Sequence, residues 1–165
     1  MKDERLRVLK VMSEITSRVG LTEFAQMVNL TPNETLEQVQ ELIKTGHVRS
    51  SGNGYGITAK GKAVLKAAAP VADGLEFRFY SGLGQPTGLS ARSLKEFYEA
   101  VKTIDAASLD FHLYRGDFKN WVQAVLGEAF LAIELESLSH GELRGENLRE
   151  KLALVIESSY GEALG

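Results

Sequence analysis

The segment FHLYRGDFKNW, residues 111–121, places three side chains capable of acid–base or ionic chemistry among aromatic residues. His112 could serve as acid or base, Arg115 could bind an anion, and Asp117 could act as their partner. No serine or other nucleophile has a base at a catalytic-motif spacing. We therefore favour a structural interpretation and expect no enzyme activity. The candidate cluster, for ligand binding or for structure, comprises Arg78, His112, Arg115, Asp117 and Trp121.

Composition excludes several kinds of site. The chain has no cysteine, so disulfides, thiolate nucleophiles and thiolate zinc sites are ruled out. The three histidines, His47, His112 and His140, lie far apart in sequence and form no local metal motif. We therefore expect no metal and no cofactor. No apolar run is long enough to span a bilayer and the N-terminus MKDERLRVLK has no secretory apolar region, so we expect a cytoplasmic protein.

Charge divides the chain into two unlike halves. Residues 1–70 hold ten Lys and Arg against seven Asp and Glu, whereas residues 71–165 hold nine against fifteen. A basic half joined to an acidic half is typical of a nucleic-acid-binding domain that carries a separate partner or effector domain. Random variation in composition is the alternative explanation.

The elements predicted for the N-terminal half follow from local signals. Apolar spacing predicts a helix over residues 4–18, and Thr22 is expected to cap a second helix. Thr31-Pro32-Asn33-Glu34 is a capping box that begins a third helix, with Leu36, Val39, Leu42 and Ile43 as its apolar stripe. Gly52-Asn53-Gly54 predicts a tight turn between two short strands, and AKGKAVLKAAA a fourth helix.

This order, with the segment YGITAKGKAVL closing the hairpin, resembles winged helix-turn-helix transcriptional regulators over roughly residues 4–67. The resemblance implies that the third helix enters the major groove of double-stranded DNA while the hairpin, or wing, touches the backbone. The DNA-binding residues that it implies are Asn33, Gln38, Lys44, Arg49, Asn53, Lys60 and Lys62. Glu34, Glu37 and Glu41 depart from this pattern because they would face phosphates. A non-catalytic protein-binding module is therefore the alternative function.

The C-terminal half mixes alternating and helical patterns. LEFRFYSG and SLDFHLYR alternate and predict two strands, joined by the loop GLGQPTG and a helix. Ser90 or Ser93 is expected to cap this helix, with Ser93 and Glu96 as a second capping box. These elements would form a small βαβ-like unit with Arg78 near Asp110 and His112. Asp117 is expected to cap the next helix, which ends at Gly127, and two further helices follow.

The motifs GDFKNWVQAVLG, FLAIEL and NLREKLALVI resemble a domain of unknown function from archaeal and bacterial proteins, sometimes attached to glycosyltransferases, over roughly residues 75–160. This resemblance implies a mostly helical fold and an accessory role. We therefore predict a mainly α fold with small β (α+β), a winged helix-turn-helix followed by a mostly helical domain with two short strands. The predicted domains are residues 1–68 and 75–165, joined by a linker at 69–74. The expected partners are DNA, a second copy as a homodimer, and another protein bound by the acidic domain.

Overall fold

The computed structural model describes residues 1–164, which fall into two compact units. The N-terminal unit is Met1–Lys66 and the C-terminal unit is Ala67–Leu164. Helices dominate residues 1–164, and the strands among them form two small antiparallel sheets, which confirms the predicted α+β class. Among these residues no helix is both long and apolar enough to cross a membrane.

Three helices and a hairpin make up most of the N-terminal unit. Helices α1 (Asp3–Glu14), α2 (Leu21–Val28) and α3 (Pro32–Lys44) precede strands β1 (Val48–Ser51) and β2 (Gly54–Ile57). Helix α4 (Ala59–Ala68) begins in this unit. This is the element order expected from the sequence. The helices pack around a buried apolar core that includes Val8, Leu9, Phe24, Val28, Val39 and Leu42.

The start of α3 is fixed by the predicted capping box. The Glu34 backbone N–H donates to Thr31 Oγ1 at 3.2 Å, and the Thr31 backbone N–H donates to Glu34 Oε2 at 2.9 Å. Two backbone donors at the helix end are thereby satisfied. The expected cap at Thr22 is wrong, because α2 starts at Leu21 with Gly20 in the N-cap position.

The hairpin and α4 approach each other closely at Gly61. Strands β1 and β2 pair with Ser51 opposite Gly54, which leaves the predicted two-residue turn at Gly52-Asn53. A Cβ atom on Gly61 would lie 2.3 Å from the His47 carbonyl oxygen. A side chain is therefore excluded at Gly61, because backbone atoms cannot yield as a flexible side chain can.

The C-terminal unit places helices against one hairpin. Strands β3 (Phe77–Gly82) and β4 (Gln85–Ala91) are antiparallel and lead into α5 (Leu94–Thr103) and α6 (Ala106–Arg115). The chain continues through α7 (Asp117–Trp121), a π-helical turn (Val122–Leu126), α8 (Ala129–Ser139) and α9 (Gly145–Leu164). The core contains Phe79, Phe97, Leu109, Leu113, Phe118, Leu135, Leu148, Leu152 and Ile156.

Three predictions about the strands of this half are wrong. Residues Ser108–Arg115, predicted as a strand, belong to helix α6, where the buried stripe is Leu109, His112 and Leu113. The predicted loop GLGQPTG contributes only a tight turn, and Gln85 already begins β4. The two strands are therefore neighbours in one hairpin, and the expected βαβ-like unit does not form.

Helix boundaries in the C-terminal unit have clear local causes. Of the two predicted caps, Ser93 caps α5 by accepting from the Glu96 backbone N–H. The predicted capping box is incomplete, because the Glu96 side chain accepts from the Arg92 backbone N–H at 2.6 Å and not from that of Ser93. Asp105 caps α6 by accepting from the Ala107 backbone N–H. Gly116 ends α6 in the left-handed conformation (φ 79°), which costs glycine little.

Candidate functional site

The predicted DNA-binding residues of the N-terminal unit fall into two groups. Asn33, Lys44, Arg49, Asn53 and Lys62 are exposed, on α3, the hairpin and α4. Lys44 Nζ lies 3.9 Å from Glu41 Oε1, and 78% of the Lys44 side chain is exposed. Such an exposed ion pair restrains Lys44 little.

Gln38 and Lys60 instead bind within the unit. The Arg5 Nε–H donates to Gln38 Oε1 at 3.3 Å, which ties α1 to α3. Lys60 Nζ donates to the Thr45 carbonyl oxygen at 2.9 Å. A lysine at a helix C-terminus satisfies an otherwise unpaired carbonyl and interacts well with the helix dipole. Both side chains therefore make hydrogen bonds within the N-terminal unit.

The outward face of α3 differs from the one expected. Leu36, predicted to be buried, is 36% exposed, while Thr35 is fully buried in its place. Gln40, which lies outside the predicted set of DNA-binding residues, is also exposed. Glu34 binds Thr31, whose backbone N–H holds the pKa of the Glu34 carboxyl below its usual value. Of the three glutamates, Glu37 remains the exposed charge with no such capping role.

An apolar groove of about 530 Å³ lies beside α3 and the hairpin. The polar residues Arg18 and Asn53 contribute to its lining, as does Tyr55, which is 53% exposed. Its apolar lining comprises Met12, Ile15, Val19, Leu21, Phe24, Leu36 and Val39.

The C-terminal unit contains an open cleft of about 560 Å³ between the β3–β4 hairpin and helices α6 and α7. The fold brings all five residues of the sequence-predicted cluster to this cleft: Arg78, His112, Arg115, Asp117 and Trp121. Asp110, expected near Arg78, instead accepts from the Gly145 backbone N–H at the start of α9. The cleft is also lined by residues outside the predicted cluster: Glu76, Tyr80, Phe111 and Asn120.

His112 is held at both ring nitrogens. Its Nε2 accepts from the Tyr80 backbone N–H at 2.8 Å, so the ring proton is on Nδ1, which donates to Asp117 Oδ2 at 2.9 Å. The residue is only 3% exposed, and burial lowers its pKa despite the nearby Asp117 carboxylate. In this arrangement neither ring nitrogen is available to take a proton from a substrate.

Asp117 links the histidine to an arginine at the cleft surface. The predicted cap role of Asp117 is wrong: Gly116 occupies the N-cap position of α7, and the Asp117 side chain caps no backbone N–H there. Its Oδ2 accepts from His112 and also from Arg115 Nε at 3.2 Å. The Arg115 guanidinium lies over the Phe111 ring, 4.8 Å from its centroid. This position combines charge pairing with a cation–π contact.

Arg78 and Trp121 border the same space. Arg78 Nη2 donates to Glu76 Oε1 at 3.0 Å. The pKa of Glu76 lies below its usual value because its own backbone N–H and Arg78 both stabilise the carboxylate. Trp121 is 8% exposed, packs against Phe77 and Phe97, and donates its Nε1–H to the Leu75 carbonyl at 2.7 Å. Within residues 1–164, no group of three or more acidic or histidine side chains is placed to hold a metal ion.

The C-terminal unit matches a protein family. Residues 74–164 match a family of unknown function, DUF5752. The chain belongs to this family. The match confirms the predicted C-terminal domain of unknown function and covers the hairpin, the cleft and α5 to α9. No curated protein and no solved structure is significantly similar to the chain.

Proposed function

We propose that the N-terminal unit is a winged helix-turn-helix domain that binds double-stranded DNA, as in a transcriptional regulator. The observation that carries this proposal is the exposed outer face of α3, which lies opposite the buried Thr35, Val39 and Leu42. A helix that is anchored along one face and capped at its start presents its other face rigidly, as entry into a major groove requires.

The residues for base recognition follow from exposure. Asn33 and Gln40 are exposed amide side chains on α3, and amides pair with the adenine edge through two hydrogen bonds. Gln40 replaces Gln38 in this role because the Gln38 side chain is bound to Arg5. Leu36 lies on the same face and could contact a thymine methyl group.

Three exposed cationic side chains are the candidates for contact with DNA phosphates. Lys44, Arg49 and Lys62 are exposed, whereas Lys60 is engaged with Thr45. Three phosphate contacts give a slope of roughly −3 in a plot of log affinity against log salt concentration. We therefore expect weak, salt-sensitive binding of DNA, and the exposed charge of Glu37 should weaken it further.

The test is a fluorescence-anisotropy titration of the full chain against labelled random duplex at several salt concentrations. The double variant Arg49→Ala/Lys62→Ala should weaken binding to every sequence and reduce the salt slope by about two. A charge-matched control, Arg144→Ala/Lys151→Ala, removes two exposed cations from the C-terminal unit and should leave the slope unchanged. Absence of salt-dependent binding, or an equal effect of both double variants, would contradict the proposal.

A second candidate function is a non-catalytic protein-binding module, favoured by the exposed Leu36 in the lining of the apolar groove. We propose that a second copy of the chain binds in this groove. Such a contact would form the homodimer that is expected for a regulator reading paired half-sites. Sedimentation of the wild type should then show a dimer at high concentration, and Leu36→Asp should abolish it. A wild type that stays monomeric at every concentration would eliminate this candidate.

A further inference from the structure

The cleft of the C-terminal unit contains side-chain N–H groups that the fold does not use. One oxygen of each cleft carboxylate is engaged: Asp117 Oδ2 accepts from His112 and Arg115, and Glu76 Oε1 accepts from Arg78. The donors of the cleft are not all occupied. Within residues 1–164, the two terminal nitrogens of Arg115 and the side-chain amide of Asn120 have no hydrogen-bond partner. These free N–H groups can donate to acceptor atoms of a ligand.

Arg115 is held in place before any ligand arrives. Its Nε is bonded to Asp117, which is bonded to His112, which is in turn bonded to the Tyr80 backbone. The Phe111 ring supports the face of the guanidinium. An arginine on a surface usually loses side-chain freedom when it binds a ligand. Here much of that freedom is already lost, and the free edge of the guanidinium can make two parallel hydrogen bonds to a carboxylate or phosphate.

The remainder of the cleft is largely apolar. Phe111, Trp121 and Tyr80 contribute aromatic surface, and Leu83 at the hairpin turn is 77% exposed. The volume of about 560 Å³ is in the range typical of small-molecule sites. An inorganic ion alone would leave this apolar surface in water, whereas an anion with an aromatic or branched body would cover it.

We propose that this cleft binds a small organic anion, with its carboxylate or phosphate on Arg115 and Asn120 and its apolar body against Phe111, Leu83 and the edge of Trp121. Arg78 and Glu76 border the site as an ion pair. The two arginines and two carboxylates balance in formal charge, so recognition comes from the direction of the free N–H groups instead of a strong local field. This site is independent of DNA binding by the N-terminal unit.

The experiment uses the only tryptophan of the chain, Trp121, as a fluorescent reporter in the cleft wall. The full chain is titrated with phenylacetate and phenyl phosphate, with acetate and inorganic phosphate as anions that lack an apolar body. Phenethylamine provides the apolar body with a positive charge. Isothermal titration calorimetry repeats each titration, so that binding without a fluorescence change is still detected.

We expect saturable binding of phenylacetate, phenyl phosphate or both, at least about tenfold weaker binding of acetate and inorganic phosphate, and none of phenethylamine. Whichever aromatic anion binds more tightly distinguishes a carboxylate ligand from a phosphate ligand. No saturable binding of either would overturn the proposal. Equal binding of inorganic phosphate and phenyl phosphate would overturn the role given to the apolar wall.

Substitutions at Arg115 and Asn120 test whether their side chains bind the anion. Arg115→Ala should weaken binding at least about tenfold, and Arg115→Lys should weaken it less because the charge remains while the paired donors are lost. Asn120→Ala, at an exposed position, provides a second variant with little risk to folding. The matched control is Arg144→Ala, which removes another arginine stacked on an aromatic ring, 3.9 Å from the Tyr114 centroid and outside the cleft. If Arg115→Ala and Asn120→Ala, shown to be folded by circular dichroism, bind as the wild type does, the site is wrong.

Discussion

His112 and Tyr80 are 32 residues apart in sequence and are joined by one hydrogen bond, from the Tyr80 backbone N–H to His112 Nε2 at 2.8 Å. This bond fastens helix α6 to strand β3 and fixes the tautomer of the histidine. Through Asp117 the same ring also positions Arg115 at the cleft surface. One buried side chain thus connects the packing of the C-terminal unit to the geometry of its cleft.

The first prediction concerns the replacement His112→Phe. Phenylalanine keeps a ring among the aromatic neighbours Phe77 and Phe118 but leaves the Tyr80 N–H without an acceptor. The free energy of unfolding should fall by about 1–3 kcal/mol, the usual cost of an unsatisfied buried donor. Urea denaturation followed by Trp121 fluorescence measures it. His140→Phe, at an exposed position, should change the value by less than about 0.5 kcal/mol. Equal stability of His112→Phe and the wild type would contradict the structural role of this bond.

The second prediction is a dependence of stability on pH. Burial lowers the pKa of folded His112 below its ordinary value of 6.5, so between the two pKa values the unfolded chain binds one more proton than the folded chain. The contribution of neutral His112 to stability is therefore complete above pH 6.5 and is lost as the pH falls from there towards the folded pKa. The slope from this residue is at most about 1.4 kcal/mol per pH unit. Denaturation curves of the wild type and His112→Phe at several pH values should converge on acidification. Parallel curves would exclude His112 as the titrating group.

The third prediction separates two contributions of Trp121. Trp121→Ala removes a side chain that is 8% exposed and contacts Phe77 and Phe97, and it should cost about 3–5 kcal/mol. Trp121→Phe keeps most of the ring but loses the hydrogen bond to the Leu75 carbonyl, so it should cost less. Thermal melts followed by circular dichroism give both values, since neither variant retains tryptophan fluorescence. A Trp121→Ala protein as stable as the wild type would show that the ring is dispensable for the core.

The fourth prediction concerns the contact between α4 and the hairpin. Gly61→Ala would place a Cβ atom 2.3 Å from the His47 carbonyl oxygen, which forces the backbone apart. The N-terminal unit should lose about 1–3 kcal/mol, as expected for overpacking. Gly54→Ala is the matched control, because a Cβ at Gly54 meets only the Ser51 carbonyl oxygen, at 3.9 Å. Urea denaturation followed by far-UV circular dichroism compares the two variants. A Gly61→Ala variant that unfolds together with the Gly54→Ala control would contradict the close approach.

Much of the N-terminal unit could be predicted because its signals are local. The Thr31–Glu34 capping box and the Gly52-Asn53 turn each depend on residues within four positions of one another. The exposure of Leu36 was missed, since the apolar spacing of α3 is equally consistent with Leu36 or Thr35 on the buried face. Burial of the smaller, polar Thr35 depends on tertiary packing and on its hydrogen bond to the Thr31 carbonyl.

The C-terminal unit was harder to predict for a physical reason. In SLDFHLYR, Leu109 and Leu113 satisfy both strand alternation and helical spacing. The residue that distinguishes the two is His112, which completes the helical stripe only if a histidine is buried, and its burial depends on the distant Tyr80. A second error is a strand that was predicted as a loop: Pro86 and Gly88 indicate a loop, but these residues lie in β4. Proline is tolerated at the edge of a sheet because a missing N–H costs nothing there.

The contact between β3 and α6 also limits the addition of further strands to the β3–β4 hairpin. The Tyr80 N–H donates to His112 and the Tyr80 carbonyl accepts from Ser108 Oγ at 2.7 Å, so two side chains of a helix occupy backbone groups that a neighbouring strand would otherwise use. At Tyr80 the outer side of β3 is therefore closed to a further strand. On the other side of the hairpin, Pro86 in β4 has no N–H to donate. Each strand of the hairpin therefore has a position that cannot join a continuous ladder, which disfavours extension of this sheet by repeated edge-to-edge pairing.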